Sequence, residues 1–527
     1  MKLFLILSCV FFTNIIFSFV QIEEGYADKT SYKSIDTIKF YLSATEKTQR
    51  WFYILNINNK ITDSVYLTVD HQEKNEFQPW LNYGFTVKST YFPLHLKTGI
   101  YSLEHKVFFI IKNEDKNAQI TIVYPTNTEN AYNNTGGKSL YNINSTAKTK
   151  ANKVTFLRPL SPFIINEVRL ACTAFLQWVS HKEEFTFQYI SDKDMEDYTE
   201  ISSSQIIVVI GHSEYWSRKA RENFDKFVDL GNDAVVLSGN TMGWQVRFED
   251  DLLVCYKDAK EDPIEDKLLK TIEWTNGELN YSTLSSIGCD WPHGAYGMHK
   301  NHGKYGYTIT NPHSPLLENT GLKFLDFVSC QSYEYDGTLI TGIDGNGIPI
   351  IDIDKLNFYN IELIGYDKAD PVDHFNKNAG YGTFIVFQKT VNSGIVVNTA
   401  FNTFTGKTPN SGTGGIAGKD SVVIRQIVDN IFDKLIYNKQ VFNRLAVLTT
   451  LQDTNINVFP NPSSGFITLT RNNNDHNILI LKNQLGEIVL TTKLDFSTQN
   501  IDLSHLKTGV YNVFLDEYYT TKVVLLN

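Results

Sequence analysis

"QIIVVIGHSEYWSRKARENF", Gln205–Phe224, opens on an unbroken apolar run and closes on a helical repeat. Ile206–Ile210 contains no polar residue, which is the pattern of a strand buried on both faces. Gly211 ends that run, and His212, Ser213, Glu214, Tyr215 and Trp216 follow at once. A helix is predicted from about Ser217, with Ala220, Phe224, Phe227 and Val228 on its inner face and Gly231 as its stop. "DAVVLSGN" (Asp233–Asn240) reads as the next strand, so the stretch is one strand-helix-strand unit. His212 and Glu214 therefore fall beyond the carboxyl end of a parallel strand, where open α/β sheets bind ligands near helix N-termini. A glutamate near a helix start is equally accounted for by favourable dipole electrostatics.

The same texture extends outward. "ITIVY" (Ile120–Tyr124) is another fully apolar strand, "IINEVRLACTAFLQWVSH" (Ile164–His181) has apolar residues at helical spacing, and "FTFQYISDKDM" begins a further strand. Alternating strands and helices predict a central α/β domain with a mostly parallel sheet over residues 119–440. Irregular Gly- and aromatic-rich segments run from Asn276 to about Gly415, and "SVVIRQIVDNIFDKLIYN" closes the domain as a helix. Ahead of it, short β runs such as "IKFYLSA", "RWFYILNI", "SVYLTVD" and "KVFFIIKN" predict an N-terminal β-sandwich over 21–118. Behind it, a polar linker at 441–452 leads to a small β domain at 453–527. "HLKTGIY" (His95–Tyr101) and "HLKTGVY" (His505–Tyr511) nearly repeat, which is explained by a shared sandwich device: a strand begun by glycine with one inward aromatic.

At 527 residues the chain is expected to hold several cores. A formal net charge of −10 leaves no basic field for a phosphate backbone, so no nucleic-acid partner is expected. "MKLFLILSCVFFTNIIFSFVQIEEG" is read as a signal peptide over 1–20, with Ser18 a small residue at the cleavage site. No later stretch is apolar enough for a stable membrane span. Cys9 leaves with the signal; Cys172, Cys255, Cys289 and Cys330 form one or two disulfides, or remain buried thiols.

Candidate chemistry gathers at two loops. "IVYPTNTENAYNNTGGKSLY" (Ile122–Tyr141) leaves an apolar strand for a loop carrying Tyr132 and Tyr141. Were this strand beside Ile206–Ile210, two phenols and the Glu214 carboxylate would emerge on one sheet edge. A phenol titrating near ~10 is a poor base, but a trivalent metal holds the phenolate directly, and hard oxygen donors suit Fe(III) better than zinc. "WPHGAYGMHKNHGKYG" places His293, His299 and His302 close together, yet spacings of six and three match no zinc pattern, and a Gly-rich surface loop is the reading preferred. Ser213 lacks the flanking glycine of a nucleophile elbow.

Two resemblances follow. "VFPNPSSGFITL", "LKTGVY" and the terminal "KVVLLN" resemble the type A sorting domain of the type IX secretion system of Bacteroidetes. That implies passage through the periplasm, engagement of the type IX machinery and release or attachment at the cell surface. "AYNNTGGKSLY", "GHSEYWSRKARENFDKFVDLGND", "LSGNTMGWQVRFED" and "SYEYDG" together resemble the large (beta) subunit of N,N-dimethylformamidase and its relatives, over roughly Lys39 to Asn438. The resemblance implies a core related to class I glutamine amidotransferases and one mononuclear iron (Fe3+) held by Tyr132, Tyr141 and Glu214. It further implies Glu334 as general base, His212 as proton shuttle, and hydrolysis of the C–N bond of small linear amides. Asn240, after "AVVLSG", is read first as part of a strand-terminating turn and, from its position alone, as a donor to a developing oxyanion. The competing reading is a non-catalytic secreted glycan- or surface-binding protein on the same fold, for which aromatic-rich loops serve equally well. A homo-oligomer is left open.

Overall fold

The computed structural model describes residues 21–113, 117–297, 303–370, 380–408, 412–442, 456–471, 478–483, 488–515 and 518–526. The expected signal peptide, most of the linker, His299 and His302 lie outside these residues. The chain is rich in β structure, with several sheets and few helices. It divides into two compact units, one drawn from Met1–Glu114, Glu129–Ile165 and Phe248–Val254, the other from Asp115–Thr128, Asn166–Arg247 and Cys255–Asn527.

In the first unit, a three-stranded sheet (Ile22–Ala27, Ile38–Ala44, Val87–Tyr91) and a five-stranded sheet share one core. Alternate residues Ile38, Phe40, Leu42 and Ala44 point inward because successive strand side chains face opposite ways. They meet Phe52, Ile54 and Phe109 from the second sheet, each large side chain contributing about 1.5–3 kcal/mol by leaving water. Tyr101, in the strand Gly99–Leu103, is buried and its hydroxyl donates to the Lys97 carbonyl at 2.8 Å. Tyr511 does the same with Lys507 at 2.6 Å in the C-terminal strand Gly509–Leu515. The near-repeat is thus one folding device used twice, a tyrosine tied to the backbone four residues upstream.

The second unit is organised by a nine-stranded sheet. Its order is Phe187–Ser191, Ile120–Tyr124, Ile206–Gly211, Asp233–Ser238, Ile395–Asn398, Gly380–Gln388, Asn360–Ala369, Gly306–Ile309 and Phe327–Ser329. The first five are mutually parallel, and the remaining four are antiparallel to their neighbours. Ile120–Tyr124 and Ile206–Gly211 are adjacent, in the arrangement the two loops required. The antiparallel half lies in the stretch the sequence presents as irregular, so the sheet is mixed and more antiparallel than expected.

Ile207 and Val209 face a core containing Phe224, Phe227 and Val228 of the helix Arg218–Asp229, while Ile206, Val208 and Ile210 are buried on the opposite face. Ser217 starts that helix, its hydroxyl accepting the Ala220 N–H at 3.2 Å. The two expected long helices each contain a π turn: Ile164–Val168 precedes Leu170–Val179, and Lys434–Asn438 follows Ser421–Asp433. The four mature cysteines are all buried and none is in a disulfide. The C-terminal strands form a three-stranded and a four-stranded antiparallel sheet around Leu469, Leu479, Leu481 and Val513.

Gly211 is where the chain leaves the sheet. Its φ is +74°, and a Cβ there would collide with the Cys172 thiol. Gly321 has almost the same φ, +73°, but open space around it. Gly321→Ala should therefore cost only the left-handed backbone strain, about 1 kcal/mol, and Gly211→Ala about 2 kcal/mol more from the clash. Urea unfolding of the two variants reads the difference, and equal losses would remove the steric role given to Gly211.

Candidate active site

Because Ile206–Gly211 and Asp233–Ser238 are paired in register, with Gly211 opposite Ser238, the loops after them emerge side by side. The backbone stitches them together. Ser213 N–H donates to the Ser238 hydroxyl at 3.2 Å, Met242 N–H to the Ser213 carbonyl at 2.9 Å and Trp244 N–H to the Glu214 carbonyl at 2.9 Å. Thr128 accepts the Glu214 N–H at 3.0 Å; it lies in the short helix Thr126–Tyr132, which stands where the sequence reading put a loop and ends on Tyr132.

Three functional side chains meet in this frame. His212 Nε2 lies 3.2 Å from Glu334 Oε2 and 3.4 Å from Glu214 Oε2. His212 Nδ1 is 3.1 Å from the Gly239 carbonyl, which fixes Nδ1 as the donor and turns Nε2 toward the two carboxylates. The Trp244 indole N–H donates to Glu214 Oε1 at 2.9 Å, so each Glu214 oxygen faces a different neighbour. Lys257 stands over the Trp244 ring, 4.6 Å from its centroid, and donates to the Tyr215 hydroxyl at 2.6 Å.

Glu214 is buried, and the His212 and Glu334 side chains are 13% exposed. Burial alone would depress His212, but the Glu334 and Glu214 carboxylates outweigh it and hold the imidazole above its ordinary range. Burial raises Glu334, against the pull of His212 and with the repulsion of Glu214. Glu334 and His212 thus form a proton-sharing pair, each holding a proton more readily than it would in water. Trp291, Tyr296 and Tyr333 form an aromatic wall, with ring centroids 4.9 and 5.2 Å apart, and burial together with Glu334 keeps the Tyr296 phenol neutral.

Tyr132 and Tyr141 belong to the first unit. Their rings are stacked with centroids 4.3 Å apart and planes 28° apart. The loop between them folds back: Leu140 N–H donates to the Ala131 carbonyl, Asn144 Nδ2 to the Tyr132 carbonyl and the Ser145 hydroxyl to the Tyr141 carbonyl. Buried Arg158 holds the loop from behind. Its five N–H groups donate to the Asn130, Thr135, Lys138 and Thr155 carbonyls and to Asn130 Oδ1. Burial lowers that guanidinium to about 9. Among the described residues, no set of three or more His, Cys, Asp or Glu side chains is arranged to hold a metal ion. A metal would need another donor type, and a paired set of phenols is a hard-oxygen set suited to Fe(III). In the histidine-rich stretch, His293 Nδ1 is 2.6 Å from Asp290 Oδ1.

Sequence reasoning missed Trp244, Tyr296, Arg158 and Asp336. Asp336 carried a usable signal: it stands two residues after Glu334 in the strand Glu334–Gly337, hence on the same face. Its Oδ2 accepts the Thr241 N–H at 3.0 Å, and burial raises its carboxyl group to about 8.

The fold and site define a β-rich protein with a carboxylate–imidazole centre at the open edge of a mixed sheet. The chain belongs to the N,N-dimethylformamidase beta subunit-like family, whose C-terminal model matches residues 80–410. A secretion-system C-terminal sorting domain matches residues 457–525, so the protein is directed to the type IX route and is secreted or carried to the cell surface. Among curated proteins no sequence matches this chain. Solved structures share only distant likeness. A β-galactosidase from Bacillus circulans sp. alkalophilus is 10% identical with a TM-score of 0.30, over 74% of this chain and 40% of that one. A β-galactosidase from Rahnella sp. R3 is 9% identical with a TM-score of 0.30, over 77% and 41%. A putative ThuA-like protein from Bacteroides uniformis ATCC 8492 is 11% identical with a TM-score of 0.28, over 60% and 91%. The chain spans about two fifths of the length of the β-galactosidases it matches. These likenesses give no support to the expected kinship with class I glutamine amidotransferases. Among the described residues no helix is long and apolar enough to cross a membrane.

Asp336 yields a pH signature. Asp290, Glu334, His212 and Cys289 are the titratable groups whose charges interact with it. Unfolded, the group loses its proton above about pH 4; folded, it keeps it to about 8. The folded state therefore binds more protons in that window, and stability present below about pH 4 is lost as the pH rises to about 8. Asp336→Asn should remove a slope of roughly 1 kcal/mol per pH unit from chemical unfolding measured at pH 5 to 8. An unchanged slope would show the carboxyl group to be ionised in the folded protein.

Proposed function

We propose that this protein is a secreted metal-dependent hydrolase of carbon–nitrogen bonds acting on small linear amides. The observation that carries the reading is the buried Glu334–His212 pair, a proton acceptor and donor within 3.2 Å of each other. A surface-binding role has no use for such a pair, because sequestering an imidazole between two carboxylates costs desolvation of all three. Family membership supports the choice of reaction class.

Tyr132, Tyr141 and Glu214 are the residues proposed to hold one Fe3+, and the phenol pair and the buried carboxylate suit it as donors. When bound, the iron supplies Lewis acidity toward the amide carbonyl. The protein's own residues do the rest. Glu334, with its raised proton affinity, takes the proton of the attacking water and passes it to the leaving amine, with His212 as the neighbouring relay. Asn240 Nδ2, 3.4 Å from Glu334 Oε2, orients that carboxylate and lies within reach of an oxyanion beside it. The aromatic wall of Trp291, Tyr296 and Tyr333 offers an apolar flank to an N-alkyl group.

One observation favours a second reading. Trp51, Tyr53 and Tyr66 are exposed on one face of the sandwich, with the Trp51 and Tyr66 rings 5.4 Å apart. Trp51 and Tyr53 line a cavity of about 710 Å³ that also takes in Arg50 and Glu104, a surface suited to a sugar face. Glycan binding there is compatible with an enzyme elsewhere in the chain.

Glu334→Gln separates the readings. It should lower amine release from linear amides by about 100-fold or more while leaving iron content unchanged, since the residue is assigned a proton and no metal. Amine release by the full chain, followed beside elemental analysis, measures both. Equal release by wild type and variant would contradict the role of Glu334.

A further inference from the structure

The Gly239–Gly243 turn joins the two halves of the active site, and its backbone is unusual. Asn240 has φ +52° and Met242 φ +54°, two non-glycine residues in the left-handed region within three positions. Such a backbone persists only where its surroundings over-determine it. One flank of the turn is tied to the loop carrying His212 and Glu214, through the Met242 and Trp244 amides already described.

The other flank faces the strand Glu334–Gly337. Glu334 and Asp336 occupy the same face of that strand and engage consecutive residues of the turn. Asn240 Nδ2 lies 3.4 Å from Glu334 Oε2, and the Thr241 N–H donates to Asp336 Oδ2 at 3.0 Å. A Cβ on Gly239 would sit 2.6 Å from the Glu334 carbonyl and 2.5 Å from the Asn402 nitrogen, so the backbones are in closest contact there. Asp336 is fully buried, and its Oδ1 has no hydrogen-bond partner. Within the Glu334–Gly337 strand, Asp336 supplies the side-chain contact to the backbone of the turn.

We infer that Asp336 is a positioning residue for the site: its carboxyl group holds the Thr241 amide, and through it sets Asn240 against Glu334. The inference rests on the hydrolase reading for its consequence, though not for its geometry. Without this acceptor the Thr241 N–H would be a buried donor with nothing to bond, and the turn would relax toward ordinary backbone angles. Asn240 would then leave Glu334, which would lose the donor that orients its carboxylate. A protonated Asp336 also adds no negative charge beside Glu334 and Asp290, so an asparagine should fill the same place.

The test compares Asp336→Ala and Asp336→Asn in the full chain by two readouts. Hydrogen exchange of the peptide spanning residues 238–244 reports the turn whether or not the protein is active. The split between kcat and KM for amide hydrolysis reports its consequence. Asp336→Ala should speed exchange more than tenfold and lower kcat more than tenfold, with KM within twofold; Asp336→Asn should restore both. Where Asp336→Ala fails to fold, Asp336→Glu, which displaces the carboxyl group by one methylene, should show the same losses. Unchanged exchange overturns the inference, as does faster exchange with unchanged kcat, or an asparagine variant as impaired as the alanine one. A wild-type protein inactive on every amide would count against the hydrolase reading alone, and exchange would still decide the role of Asp336.

Discussion

An imidazole and two carboxylates taken out of water must neutralise one another, and the architecture around His212 follows from that requirement. The imidazole is held on one nitrogen by the Gly239 carbonyl, so its other nitrogen faces Glu334 and Glu214. Neither carboxylate can move away without leaving a charge unpaired in a low-dielectric interior. The cost is met by backbone: two loops stitched together through Ser213, Glu214, Met242 and Trp244, both issuing from the edge where the parallel strands end.

This arrangement concentrates strain at the edge and rigidity behind it. Ile206–Ile210 and Ala234–Leu237 are completely buried, and apolar strands covered on both faces do not slip in register. The left-handed residues Gly211, Asn240 and Met242 lie just beyond them. A rigid sheet carrying a strained rim suits the proton transfer proposed for this site, because small displacements of a base are expensive in rate.

Four of the five parallel strands were legible in the sequence as mainly apolar runs, Ile395–Asn398 being the exception. The antiparallel half was not. Asn360–Ala369 and Gly380–Gln388 carry Glu362, Tyr366, Asp367 and several glycines, and Asp367 is there to receive the Lys304 and Gly306 amides and the Tyr335 hydroxyl. Those are tertiary partners that no periodicity announces. Likewise, His212 and Glu214 stood out as polar residues after an apolar run and Glu334 through the resemblance of "SYEYDG", whereas Arg158 in "FLRPL" gives no local sign that it holds four carbonyls. The partner of Asp336 lies in a loop 95 residues away.

The central proposal is that Tyr132, Tyr141 and Glu214 supply a hard-oxygen donor set for iron. Elemental analysis and the visible spectrum of the purified full chain, beside Tyr132→Phe, test it most directly. Near-stoichiometric iron with a phenolate-to-iron charge-transfer band, weakened or lost in the variant, is the result expected. A colourless protein that takes up no iron on reconstitution would contradict it, leaving the buried carboxylate–imidazole centre without the metal its chemistry is proposed to serve.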